Sequence, residues 1–335
     1  MQYRYLGRSG LKVSEICLGT MMFGGATDEA TSRSITAAAR DSGVNFIDTA
    51  DMYNKGESER VVGRAIAAER DRWVLATKVG NPMGEAPNQS GMSRKWIREA
   101  VHGSLTRLGT DYIDILYMHK ADFAAPLEEM VLAFADLIRE GKIGYFAVSN
   151  FKAWRLAETV RLAREAGITG PVATQPLYNL VNREVEVEIL PSAAYFGTGT
   201  VCYSPLARGI LTGKYRPDVA PDSNSRAGRA DPRMLEAEWR PESLQAASEL
   251  AAYAESTGRK TAHLAQMWVM RNSLVTSTLL GPRTFDQWQD GMAALDCPWT
   301  AEDEAFCDQL VSPGKGTSLG PVDPHHPIEG RVTRW

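Results

Sequence analysis

The feature that most constrains this chain is an alternation, repeated eight times, of a short apolar run with a longer amphipathic one. The short runs are Glu15–Gly19, Val44–Asp48, Trp73–Lys78, Ile113–His119, Gly144–Ser149, Val172–Gln175, Gly199–Ser204 and Val275–Gly281. Several are continuously apolar, as expected of strands covered on both faces. The longer runs read as helices. Ser93 is a natural N-cap for a stripe of Ile97, Val101, Leu105 and Leu108, and Gly109 stands at the C′ position. Leu127, Val131, Phe134 and Ile138 form a second stripe closed by Gly141. Trp154, Leu156, Val160 and Ala163 form a third after Lys152. Thr284 and Gln287 are spaced as a capping box opening the last barrel helix.

Eight strand-then-helix units predict an α/β fold with a parallel sheet and helical crossovers. Eight is also the number that closes a (β/α)₈ TIM barrel of ~250 residues. The chain has 335 residues, and the surplus has visible places. Residues 1–14 are placed to form an N-terminal β-hairpin across the barrel bottom. Arg208–Pro241 is long and polar, a C-terminal-face loop of functional length, and the tail from about 313 to 335 has no periodicity. No boundary stands out, so a single domain over 1–335 is expected. A doubly wound sheet would announce a dinucleotide site with GxGxxG after its first strand. The residues there are Gly19-Thr20-Met21-Met22-Phe23-Gly24-Gly25, which do not fit.

A barrel places its functional residues at the C-terminal ends of its strands. Strands two, three and four end on Asp48, Lys78 and His119, and Tyr53 follows Asp48 by five residues in GVNFIDTADMY. The fifth ends on Ser149-Asn150, the sixth on Gln175 and the seventh on Tyr203-Ser204. A lysine at such a position is largely desolvated and needs a carboxylate, for which Asp48 is the nearest candidate. Their pairing holds positive charge beside the Tyr53 hydroxyl and favours its phenolate over the free pKa of about 10. His119 is placed to orient a substrate oxygen or to share the proton. The set reads as a general acid for an oxygen on which negative charge develops, the need of carbonyl reduction. Taken singly, Lys78 also suits Schiff-base chemistry, and His119 suits a rim histidine.

Composition narrows the partners. The formal net charge is −4, with 44% hydrophobic and 23% charged residues, so no basic stripe invites nucleic acid and no polybasic segment a membrane. Four scattered cysteines without CxxC predict reduced thiols and a cytoplasmic location. Five histidines without HxH or HExxH predict no metal site.

The set Asp48, Tyr53, Lys78 and His119 resembles the tetrad of the aldo-keto reductases. The resemblance runs through YRYLGRSGLKVSEICLGTMMFG, GVNFIDTADMYNKGESERVVGRAI, SRKWIREAVHGSLTRLGTDYIDILYMH, GKIGYFAVSNF, YSPLARGILTGKY and LLGPRTFDQ. It covers roughly residues 1 to 310 and is closest to the bacterial branch that resembles potassium-channel β-subunits. The resemblance implies a barrel that binds NADPH, with NADH weaker, and reduces an aldehyde or ketone to an alcohol. It implies Tyr53 as proton donor, Lys78 and Asp48 as its tuning pair and His119 as the group orienting the carbonyl. Ser149, Asn150 and Gln175 match the nicotinamide carboxamide contacts, and Tyr203 the ring that stacks on it. Ser204, Leu206 and Gly209, with Lys214 nearby, match the pyrophosphate contacts. Gly281, Arg283 and Gln287 fall in the last cofactor segment, where Arg283 matches the contact to the 2′-phosphate. Gly291 stands where the family often has an adenine-contacting Asn, and Asp286 and Asp290 bring negative charge near Arg283. The expected partner is a small carbonyl compound, for a monomer or homo-oligomer. Two other readings stay open: a non-catalytic, redox-sensing β-subunit-like protein, and a lyase using Lys78 as a Schiff base.

Overall fold

The computed structural model describes residues 1–217, 219–223 and 225–317. The expected irregular tail lies outside them from residue 318 onward, as do His325 and His326. Its first residues are ordered: Arg183 N donates to Lys315 O at 2.9 Å and Thr317 N to Val181 O at 3.0 Å.

The chain forms two compact units. The first comprises Met1–Pro176, Glu188–Tyr203 and Ser273–Asp290, and the second comprises Leu177–Val187, Ser204–Asn272 and the chain from Gly291. The strands are β1 Tyr3–Tyr5, β2 Lys12–Ser14, β3 Ile16–Gly19, β4 Phe46–Asp48, β5 Val74–Val79, β6 Ile113–Met118, β7 Ile143–Ser149, β8 Ala173–Gln175, β9 Gly199–Cys202 and β10 Ser277–Leu280. The helices are α1 Glu29–Asp41, α2 Glu57–Ile66, α3 Arg94–Leu108, α4 Leu127–Arg139, α5 Ala153–Glu165, α6 Ile189–Phe196, α7 Pro232–Ala237, α8 Pro241–Ser256, α9 Thr261–Arg271, α10 Phe285–Ala293 and α11 Ala301–Leu310.

In the first unit, β3 to β10 pair in parallel and close into a barrel in the order β10-β3-β4-β5-β6-β7-β8-β9. This is the (β/α)₈ barrel that the alternation predicts. Its interior is apolar at the lower levels, built from Cys17, Phe46, Val74, Ala76, Ile115, Tyr117, Ala147, Ala173 and Val201. The antiparallel hairpin of β1 and β2 adds Leu6 and Val13 to the same cluster. It closes the N-terminal end, where Arg4 Nη1 donates to Val275 O at 2.7 Å and Arg8 N to Gly197 O at 2.7 Å. Gly7 makes that approach possible. Its φ is +56°, and a Cβ there would lie 2.5 Å from Val172 O.

Two local expectations are corrected. Trp154 is 57% exposed, while Arg155 turns inward at 5%. The guanidinium lies over the rings of Phe123 at 4.7 Å and Phe151 at 5.3 Å, so an arginine stem and its planar head fill the position read as tryptophan. At α10, Thr284 Oγ1 caps Gln287 N at 3.2 Å. The Gln287 side chain, however, accepts from Arg283 N at 2.8 Å instead of completing the box on Thr284.

In the second unit, α11 opens with a full capping box between Thr300 and Asp303. Asp303 also receives Arg259 at 2.5 Å and the Tyr253 hydroxyl at 2.8 Å, and the guanidinium beside it holds its carboxyl well below the usual range.

Candidate active site

Side chains two residues apart on a strand share a face. One step of two above the apolar cluster gives Asp48 above Phe46, Lys78 above Ala76, His119 above Tyr117, Ser149 above Ala147, Gln175 above Ala173 and Tyr203 above Val201. The polar strand ends of the sequence are thus the topmost inward layer of the barrel, at its C-terminal mouth.

Register explains the central pair. Asp48 is paired with Ala76, so Lys78 is its diagonal neighbour on β5, within reach of a long side chain. Lys78 Nζ donates to Asp48 Oδ1, to Thr49 O at 2.8 Å and to the Tyr53 hydroxyl at 3.3 Å. The second carboxylate oxygen, Oδ2, accepts from Gln175 Nε2 at 3.0 Å. β4 and β8 stand on opposite sides of the strand ring, so this bond crosses the barrel interior. Lys78 and Asp48 are 0% and 1% exposed. The Tyr53 ring meets His119 edge to face, with centroids 5.8 Å apart and an interplanar angle of 84°.

The electrostatics follow from burial. Desolvation alone would lower the Lys78 pKa, but the Asp48 carboxylate and then Tyr53 more than offset it, leaving the ammonium's pKa raised. Tyr53 differs from the sequence expectation. Desolvation raises its pKa above the usual phenol value, and Lys78 only partly pulls it back. The lysine therefore limits a rise and does not produce a net fall.

The loop bearing Tyr53 is rigidly set. Asn54, Lys55 and Gly56 have φ values of +49°, +55° and +87°, and Asn54 Nδ2 ties the turn to Phe23 O at 2.8 Å and Met21 O at 3.1 Å. Asn tolerates the left-handed region better than most residues, and Asn-Lys-Gly after the tyrosine was a readable sign of it.

The expected nicotinamide contacts form one network. Tyr203 donates its hydroxyl to Asn150 Oδ1 at 2.9 Å, and Asn150 Nδ2 donates to Ser149 Oγ at 3.0 Å. Ser149 Oγ donates to Gln175 O at 2.9 Å, and Gln175 ends on Asp48. The link from Gln175 to Asp48 was missed in the sequence because it spans 127 residues.

Ser204, Leu206, Gly209 and Lys214 lie together in the second unit. Ser204, Ala207 and Arg208 have φ of +57°, +45° and +52°, each a strained backbone that must be held by its surroundings. Arg208 pairs with the fully buried Glu238 at 2.9 Å, Glu238 accepts from Asn182 Nδ2 at 2.7 Å, and Asn182 meets Asn179 at 3.1 Å. Asn179 Nδ2 returns to Ser204 O at 3.0 Å. This ring holds the strained turn. The Lys214 ammonium lies 3.3 Å from where a Gly209 Cβ would stand.

In the first unit, Arg283 lines an open cleft of about 450 Å³ with Ala26, Thr27, Asp28, Thr284, Phe285 and Asp286. The start of α10, its Arg and Thr284 suit an anionic group, and Asp28 and Asp286 oppose it. Asp28 was not foreseen. It reaches the cleft because β3 and β10 are neighbours, and Thr27 Oγ1 donates to Arg283 O at 2.9 Å. Gly281, at the end of β10, lies 3.6 Å from the position of a Gly19 Cβ. Among the described residues no cluster suits a metal ion, no helix is long and apolar enough to cross a membrane, and all four cysteines are free and buried.

Comparison with known proteins agrees with this geometry. The chain is 38% identical over 308 residues to an uncharacterized oxidoreductase, YrpG, of Bacillus subtilis (strain 168), covering 88% of this chain and 91% of that one. It is 36% identical over 301 residues to a probable voltage-gated potassium channel subunit beta of Oryza sativa subsp. japonica, covering 88% and 92%. It is 33% identical over 329 residues to the L-glyceraldehyde 3-phosphate reductase of Escherichia coli (strain K12), covering 94% of each. The model of the aldo/keto reductase family matches residues 15–312, and this barrel, an oxidoreductase by its relatives, belongs to that family.

Proposed function

We propose that the protein reduces an aldehyde or ketone to an alcohol, with NADPH as the electron donor and Tyr53 as the proton donor. One observation carries the reading: a buried ammonium, held charged by Asp48, donates to a phenol hydroxyl at the mouth of the barrel. NADPH, when bound, supplies the hydride that adds to the carbonyl carbon. Tyr53 hydrogen-bonds the carbonyl oxygen and transfers its proton as the C=O π bond opens. Lys78 stabilises the phenolate left behind, and His119 fixes the line of approach of the oxygen. Solvent then returns a proton to Tyr53. Arg283 and the start of α10 fit the 2′-phosphate of the cofactor.

The same contacts disfavour a Schiff base. That chemistry needs a neutral amine, whereas Lys78 has three acceptors and a raised pKa. The relative named as a reductase of L-glyceraldehyde 3-phosphate supports a small carbonyl substrate. The relatives named as probable potassium channel subunits support a second reading, that of a partner protein.

NADPH oxidation measured over aldehydes, cyclic ketones, keto-sugars and triose phosphates separates the two readings. Turnover with at least one carbonyl supports the reductase. Tight NADPH binding with no turnover on any of them supports the partner protein.

Cofactor preference is a second expected result. A charge-assisted contact to a phosphate is worth about 1.5–3 kcal/mol, so Arg283→Ala weakens NADPH by roughly 10–150-fold and leaves NADH unchanged. Fluorescence titration of both cofactors checks it. Equal loss for the two would assign Arg283 to the fold.

A further inference from the structure

Behind the tetrad lies a carboxyl group that the proposed reaction does not use. Asp51 is fully buried, and neither of its carboxyl oxygens has a side-chain hydrogen-bond partner. Its backbone N donates to Lys78 O at 3.1 Å, which ties it to the strand that carries the ammonium. Tyr53 follows two residues later.

The charges around Asp51 are already paired with others. Glu59 of α2, also 0% exposed, accepts from Thr77 Oγ1 at 2.6 Å and from Arg107 Nε of α3 at 2.6 Å. Arg107 adds a bond to Ser104 Oγ at 3.2 Å. Lys78 on β5 faces Asp48 of β4, Thr49 O and Tyr53. Asp51 is left with no counter-charge of its own and a like-charged neighbour in Glu59. Burial first, then Glu59, push its carboxyl up to about 8, while the Met52 backbone N–H, then Arg107 and Lys78, pull the other way. Tyr53 in turn feels Asp51, whose negative charge raises the phenol's pKa.

We propose that Asp51 is a positioning residue that controls how firmly Tyr53 holds its proton. Uncharged, it leaves Lys78 opposed only by Asp48. Ionised, it adds a second negative charge that keeps Tyr53 protonated to higher pH. Carbonyl reduction needs the protonated phenol, and alcohol oxidation needs the phenolate. Ionisation of Asp51 therefore extends the reductive range on the alkaline side and delays oxidation. The inference rests on the reading of Tyr53 as the proton donor.

The test compares pH–rate profiles of carbonyl reduction in the wild type, Asp51→Asn and Asp51→Ala. Asparagine keeps the size and removes the charge, and alanine removes charge and hydrogen-bonding groups alike. A like charge nearby disfavours ionisation, so both variants should show the basic limb of reduction moved to lower pH than the wild type's. Rates on the acid plateau should stay near the wild type's. Ultraviolet difference titration of tyrosinate, each protein against its own Tyr53→Phe version, should show the same downward move without any turnover. A basic limb and a tyrosinate midpoint unchanged in both variants overturn the inference, and so does a move upward. Full activity in Tyr53→Phe alone would overturn the reading of Tyr53 as the proton donor instead, while the tyrosinate titration would still report whether Asp51 acts on Tyr53.

Discussion

Phenylalanine at position 53 is expected to slow carbonyl reduction by about 10²–10⁴-fold, the usual contribution of a positioned acid, with NADPH affinity nearly unchanged. The substitution removes one oxygen and little else. The ring keeps its edge contact with His119 and its place 4.9 Å from the Lys78 ammonium. Lys78 keeps Asp48 and Thr49 O as acceptors, so the buried charge stays satisfied and stability should hardly change. What goes is the proton that must meet the oxygen as the C=O bond opens. The raised phenol pKa adds a second expectation. In the wild type, reduction should be level through neutral pH and decline only on the alkaline side, because the acid form persists there. Single-turnover reduction rates and cofactor titration in both proteins check this. A chemical step at the wild-type rate in Tyr53→Phe would remove Tyr53 from the role of acid.

The parts of this site that were legible in the sequence are those fixed by strand periodicity. A residue at a barrel strand's C-terminal end must face the mouth if the residue two places earlier faces the core. Phe46, Ala76, Tyr117, Ala147, Ala173 and Val201 all do so, which placed Asp48, Lys78, His119, Ser149, Gln175 and Tyr203 in one layer. Contacts closed by the barrel itself were not legible. Gln175 reaches Asp48 only because β8 stands opposite β4, and Asp28 meets the Arg283 cleft only because β3 is neighbour to β10. Neither pairing leaves a mark in local spacing.

Two misreadings have the same physical root. Tyr53 was expected to be acidified because an ammonium lay near it, yet the desolvation that brings the two together costs the phenolate more than the ammonium returns. Proximity to a charge fixes the sign of one influence, and burial depth decides which influence wins. Trp154 was placed inward because tryptophan is apolar. α5 instead turns Arg155 to the aromatic rings there, and a guanidinium stacked on ring faces tolerates burial that an ammonium would not.

Asp48→Asn is expected to destabilise the fold by about 3–5 kcal/mol at neutral pH, the scale seen when one partner of a buried ion pair is removed. Asparagine retains the shape, and its oxygen can still accept from Lys78. The lost quantity is the counter-charge for an ammonium with 0% exposure. In the wild type, desolvation pulls the Lys78 pKa down, while Asp48 and then Tyr53 push it above the ordinary lysine value. Without Asp48 the desolvation is largely unopposed, and the folded-state pKa drops below the unfolded one. The sign of the pH dependence then reverses. In the wild type the Lys78 contribution is fully present below the unfolded pKa and is lost as pH rises through the folded value. In the variant the unfolded chain binds the extra proton, so stability rises with pH across the window between the two pKa values. Urea denaturation from pH 6 to about 10 should therefore show the gap between variant and wild type narrowing as pH increases. Reduction should be slow throughout, since a neutral Lys78 no longer stabilises the phenolate that Tyr53 must become. A stability gap that stays constant across that range would mean Lys78 keeps its charge without Asp48, and the carboxylate would then serve Gln175 and the barrel's closure, not the ammonium.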